Sequence, residues 1–155
     1  MDTLVAAGLA IFGTLAGAVA NHFLQSRVAH RAEVFARSER LRQDRMLAYS
    51  DFAKAIMTYR RAEFARWEQR HAHSPEPVLI EARSEAHRNR AVAWHAMFQL
   101  QLLADDPGLT SLASRLLDLT SDLHRALDEE DLQRRGSLIR EELARLMGMA
   151  ATSLR

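Results

Sequence analysis

The side chains best suited to hold a metal ion in this chain are its seven histidines and the carboxylates between residues 68 and 87. Glu68 and His71 form one Glu-x-x-His pair, His73 and Glu76 follow, and Glu81, Glu85 and His87 come next. Di-iron helical bundles use two such pairs facing inward, together with a Glu from each of two further helices. A single pair at the end of a helical stretch does not supply that ligand set. Glu81 and Glu85 share a helical face, but His87 is offset from it by two positions. Asp118 and Asp122 stand one turn apart with His124 nearby, a spacing that suits a solvated helix face as well as a site. The chain has no cysteine, which removes thiolate ligands, thiol catalysis and disulfides together. It also lacks a glycine-rich phosphate loop, a serine elbow and zinc-ligand spacing. These patterns predict no catalytic residue, no metal site and no bound cofactor.

The elements that carry these residues follow from charge and apolar spacing. The 155 residues suit one domain with an appendage, and the formal net charge of +1 argues against a nucleic-acid partner. That total hides an asymmetry. Residues 21–70 hold eleven basic side chains against six acids, whereas residues 71–155 hold ten against thirteen. The basic excess therefore lies beside the most apolar stretch of the chain.

That stretch is LVAAGLAIFGTLAGAVA, seventeen residues from Leu4 to Ala20 without a charge. A helix from Leu4 to Leu24 would be about 31 Å long at 1.5 Å per residue, the thickness of a bilayer's hydrocarbon core. Three readings compete: a retained anchor, a cleaved signal ending at Ala18-Val19-Ala20, and a buried core helix. Charge order favours the anchor. No Lys or Arg precedes the run, whereas Arg27, Arg31, Arg37, Arg40, Arg42 and Arg45 follow it. The positive-inside rule then keeps that flank in the cytoplasm and the amino terminus outside. Ala6, Ala10, Gly13 and Gly17 fall on one helical face and predict a contact between transmembrane helices. Arg27, Arg31 and Arg37 are placed to meet anionic lipid head groups.

Beyond the run, no Pro or Gly interrupts the chain from Phe23 to His71. Leu41, Ala48, Phe52, Ala55, Tyr59 and Ala62 recur at helical spacing, widened by Tyr49, Ala53 and Ile56. HAHSPEP at 71–77 breaks the pattern, with Ser74 as the expected cap of the next helix and Pro75 in its first turn. Ala86, Ala93, Met97 and Leu100, with Val92, Ala96 and Leu103, then form a second seam. Asp105-Asp106-Pro107 reads as another cap, and Leu109, Leu112, Leu116, Leu119, Leu123 and Ala126 as a third helix. After the acids at 128–131, Leu132, Gly136, Ile139, Leu143, Leu146 and Ala150 form the last seam, with Gly136 in register. Trp67, Trp94 and Phe98 are expected to fill the ends of the bundle.

Several stretches together resemble a known family. Gly13-Thr14-Leu15-Ala16-Gly17 ends the apolar start, and Arg42, Arg45, Ala48 and Tyr49 form an R-x-x-R-x-x-A-Y element. Glu85-Ala86-His87-Arg88-Asn89-Arg90 and the turn at Asp105 to Pro107 complete the likeness. The chain resembles the KilB-like small membrane proteins of actinomycetes. That resemblance implies a membrane-bound accessory of conjugative plasmid transfer or spread.

The expectation is an all-α protein, an amino-terminal transmembrane helix continuing into an antiparallel up-down four-helix bundle. Residues 1–25 are the anchor, 26–40 a basic juxtamembrane helix and 41–155 the bundle. The protein would be a non-enzymatic scaffold at the bacterial plasma membrane, with its bundle in the cytoplasm. Its partners would be the lipid membrane, further copies of itself and an unidentified protein. The alternative is a small oligomeric pore or toxin-like protein, motivated by the Ala10, Gly13 and Gly17 stripe.

Overall fold

A computed structural model describes the backbone from Asp2 to Leu154 and the side chains of Glu33 and residues 35–154. Its elements are α1 (Asp2–His71), α2 (Glu76–Leu103), α3 (Pro107–Ser121), a short 3₁₀ turn (Leu123–Arg125) and α4 (Glu129–Ser153). The chain divides into two units, Met1–Leu41 and Arg42–Arg155. The anchor over residues 1–25, the contact face Ala6, Ala10, Gly13 and Gly17, and the head-group contacts Arg27 and Arg31 lie outside the described side chains. Arg37 is described, and it is exposed. Among the described residues, no helix is long and apolar enough to cross a membrane.

In the second unit, α1 turns Ala48, Tyr49, Phe52, Ala55, Ile56, Tyr59, Ala62 and Trp67 inward at helical spacing. Leu41, expected to open this seam, is 41 % exposed. The loop after α2 reaches α1 at Arg45, one turn later. There the Arg45 Nε–H donates to the Leu103 carbonyl at 2.8 Å, and its Nη2 pairs with Asp105. Among the described residues, apolar burial therefore starts at Ala48.

These contacts also set the helix directions. The start of this stretch of α1 meets the end of α2, so the two run antiparallel. The end of α1 meets the end of α3, where the Trp67 indole N–H donates to the Ala126 carbonyl at 2.8 Å. α4 then returns, with Gly136 beside Arg60 and Phe64, and Met149 near Gly108 at the start of α3. Up-down-up-down order results, as short connections between packed helices require.

The connections are built from local capping. α1 ends with the Ser74 N–H bonded to the Gln69 carbonyl at 3.1 Å and the His73 N–H to the Arg70 carbonyl at 3.2 Å. His73 takes the left-handed conformation, φ 53°, that such a helix end requires. Ser74 is thereby drawn into the end of α1, and its hydroxyl donates to Gln69 Oε1 at 2.7 Å. It does not cap α2. Pro75 occupies the cap position and Pro77 the first turn, one step later than the spacing predicts. The cap expected at the start of α3 does form. Asp106 accepts from the Gly108 N–H at 2.8 Å, with Pro107 opening α3. Asp128 accepts from the Asp131 N–H at 2.7 Å and opens α4.

The third seam ends differently from its periodicity. α3 stops at Ser121, and the tighter 3₁₀ turn carries Leu123 and Ala126 into the core. That turn also aims the Ala126 carbonyl at Trp67. Every member of the fourth seam is buried, Gly136 included, and α4 continues through it unbroken. On α2, Ala86, Ala93, Ala96, Met97 and Leu100 are buried. Val92 and Trp94 are exposed instead, and Trp94 lies against Phe98 on the surface with ring centroids 5.5 Å apart. Only the face of α2 toward its neighbours is covered. Trp94 and Phe98 thus do not fill an end of the bundle, whereas Trp67 is buried.

Candidate functional site

The histidines and carboxylates considered as ligands are dispersed by the fold. His71 stacks on Trp67 with ring centroids 3.7 Å apart, and its Nδ1 lies 3.0 Å from the Trp67 carbonyl. Glu68 and His87 are exposed. Glu81 and Glu85 both pair with Arg88, at 2.8 and 2.6 Å, and the Asn89 amide also donates to Glu85. Asp122 pairs with Arg125 at 3.1 Å, and Asp118 is exposed. Among the described residues, no three His, Asp or Glu side chains converge as a metal site.

The fold gathers a different set. Glu63 sits one turn after Tyr59 and one turn before Trp67, on the inward face of α1, and is only 2 % exposed. Arg66 approaches its carboxylate at 3.4 Å, and His124 Nδ1 does so at the same distance. Burial raises the Glu63 carboxyl above its ordinary range, an effect that the nearby Arg66 charge only partly offsets. Tyr59 is also raised, chiefly by burial, and its hydroxyl donates to Ser121 Oγ at 3.2 Å.

His124 is held by the 3₁₀ turn. Its Nδ1 lies 2.8 Å from the Ser121 carbonyl, which can only accept, so Nδ1 carries the proton. Burial first, and then the charges of Arg66, Arg125 and Arg70, lower its pKa from 6.5. At neutral pH the imidazole is therefore neutral, and Nε2 carries a lone pair.

Above this buried group lies a cleft of about 120 Å³ lined by Arg66, Arg70, Leu79, Arg83 and His124. Arg66 and Arg70 come from the last turns of α1, Arg83 from α2 and His124 from the 3₁₀ turn. Arg70 Nη2 donates to the His124 carbonyl at 2.7 Å, which fixes one arginine at the rim. Chemically the arrangement is cationic, water-accessible and narrow, with one carboxylate behind it. Arg66, Arg70 and Arg83 were not singled out by spacing, because arginine is common throughout the chain. The legible signal was Glu63, an acid in register with an otherwise apolar seam.

A second surface feature runs between α1 and α2. Leu47, Ala48, Leu102 and Leu103 line a groove of about 340 Å³ edged by Asp44 and Asp51. Leu102 is 85 % exposed there.

No curated protein and no solved structure matches the chain. A family model described as KilB plasmid transfer protein matches residues 46–154. That span takes in the packed part of α1, the other three helices and every residue of the arginine cleft. With well over half of its length so matched, this chain belongs to the KilB plasmid transfer protein family.

Proposed function

We propose that the protein is a non-enzymatic accessory of plasmid transfer in an actinomycete, tethered to the plasma membrane by residues 1–25. The observation that carries the transfer role is the family match over residues 46–154. The tether is supported by the uncharged run from Leu4 to Ala20 and by the arginines that follow it. On that reading the amino terminus lies outside and the bundle in the cytoplasm. Arg27, Arg31 and Arg37 meet lipid head groups, and the face of Ala6, Ala10, Gly13 and Gly17 joins copies of the chain. The bundle serves as a scaffold for a protein partner. Its buried carboxylates support a structural role, since each faces arginine. Glu63 faces Arg66, Asp131 lies 2.5 Å from Arg134 and 3.0 Å from Arg135, and Glu142 lies 3.2 Å from Arg115.

Plasmid transfer frequency from a host lacking the gene tests this reading. Transfer should fall on deletion and recover with the full chain. A chain beginning at residue 26 should restore it poorly and leave the membrane fraction. Unchanged transfer after deletion would overturn the accessory role. A residue 26–155 chain that still sediments with membranes would overturn the tether.

A further inference from the structure

We propose that the arginine cleft binds the phosphoryl group of a small phosphomonoester or of inorganic phosphate. The observation is a juxtaposition: three guanidinium groups and one imidazole, drawn from three elements, converge on about 120 Å³. One carboxylate touches this set, and it lies buried beneath it. Glu63 is already shared between Arg66 and His124, each at 3.4 Å. Arg70 is bonded to a backbone carbonyl, which leaves its charge uncompensated. Arg83 has neither an ion pair nor a hydrogen bond among the described residues. The cleft therefore holds more positive charge than its surroundings neutralise.

Planar guanidinium forks match the spacing of oxyanion oxygens and bind them through paired N–H donors. Size limits the occupant. At about 120 Å³ the cleft has room for one phosphoryl group. Leu79 closes one wall and gives no polar contact to a base or sugar. His124 sharpens the choice of anion. With Nδ1–H directed at the Ser121 carbonyl, Nε2 is the ring nitrogen left for a ligand, and it accepts. A phosphate oxygen bearing a proton can donate to it. Sulfate and carboxylates carry no such proton at neutral pH. The site thus favours inorganic phosphate over sulfate of similar shape. This inference stands apart from the transfer role and does not need it.

The test uses the purified full chain in a non-ionic detergent, with inorganic phosphate titrated calorimetrically at constant ionic strength. Arg83→Gln removes a guanidinium that holds nothing else together, so the fold should persist, which circular dichroism melting verifies. Arg88→Gln removes the same charge from the same helix, away from the cleft. Saturable binding is expected in the parent and in Arg88→Gln. Arg83→Gln should weaken it about tenfold or more, the loss expected for a charge-assisted contact. Competition by glycerol phosphate identifies a soluble phosphomonoester as the source, and competition by vesicles containing phosphatidic acid identifies a lipid head group. Absence of binding at tens of millimolar phosphate would overturn the proposal. So would equal loss in the two variants, or sulfate binding as tightly as phosphate.

Discussion

Trp67 joins two helix ends through a single polar atom. Its ring is buried, and its indole N–H reaches the Ala126 carbonyl at 2.8 Å, where the 3₁₀ turn has no other use for that acceptor. Trp67→Phe keeps most of the apolar contact and leaves the carbonyl unpaired. We expect a loss of about 1–2 kcal/mol in urea-denaturation stability. A loss below the error of the measurement would show that the bond contributes nothing. Glu63 poses the opposite case. Because burial raises its folded pKa above the unfolded value of 4.5, ionisation penalises the folded state. The penalty is absent below pH 4.5, grows as pH rises from there and is complete once pH has passed through the raised folded value. Glu63→Gln should therefore gain stability relative to the parent between pH 4 and pH 7. An equal difference at both pH values would contradict the assignment. His124 acts in the reverse sense. Its lowered pKa costs stability as pH falls below 6.5.

At the scale of elements, α4 offers a comparison within one helix. Gly136 sits in the buried seam, and a Cβ there would lie 2.6 Å from Phe64 Cζ and 2.9 Å from Arg60 Nη2. Phe64 is itself held by the Arg60 guanidinium stacked over its ring at 4.5 Å, while the Arg60 Nε–H donates to the Gly136 carbonyl at 3.2 Å. Gly148 is exposed, and a Cβ there would meet nothing within 4 Å. Gly148→Ala should add roughly 0.5–1 kcal/mol from helix propensity alone. Gly136→Ala gains the same propensity but must push Phe64 aside, at a typical overpacking cost of about 1–3 kcal/mol. We expect it to be destabilising by about 1 kcal/mol. Thermal melts of the two variants check the sign of each. Two shifts in the same direction would refute the packing argument.

For the whole molecule, the partition into Met1–Leu41 and Arg42–Arg155 matters most. Among the described residues, the buried cluster drawn from all four helices spans Tyr49 to Ala150. A chain lacking residues 1–25 should therefore be soluble and helical and should melt in one cooperative transition. Size-exclusion chromatography and circular dichroism decide this. Aggregation of that fragment would show that the apolar run belongs to the core. The exposed apolar side chains of the α1–α2 groove, Leu47 and Leu102 among them, remain in the shortened chain and set the limit of its solubility.

The helix count, three of the four packed seams nearly residue by residue and the cap at Asp106 were legible in the sequence. The reason is that helical periodicity and capping are local: Asp106 needs only its own next turn to act. The resemblance carried by Arg42, Arg45, Ala48 and Tyr49 was equally legible, and the family match over 46–154 agrees with it. Tertiary structure alone decided the rest. Ser74 reads as a cap by type but is claimed by the end of the preceding helix, and Val92 and Trp94 read as core but face the side of α2 that no helix covers. The arginine cleft was hidden for the same reason. Arg66, Arg70, Arg83 and His124 lie up to 58 positions apart, and an arginine-rich sequence marks none of them. Only the packing of α1 against α2 and the 3₁₀ turn brings their charges to one place, because charge converges through space and not along the chain.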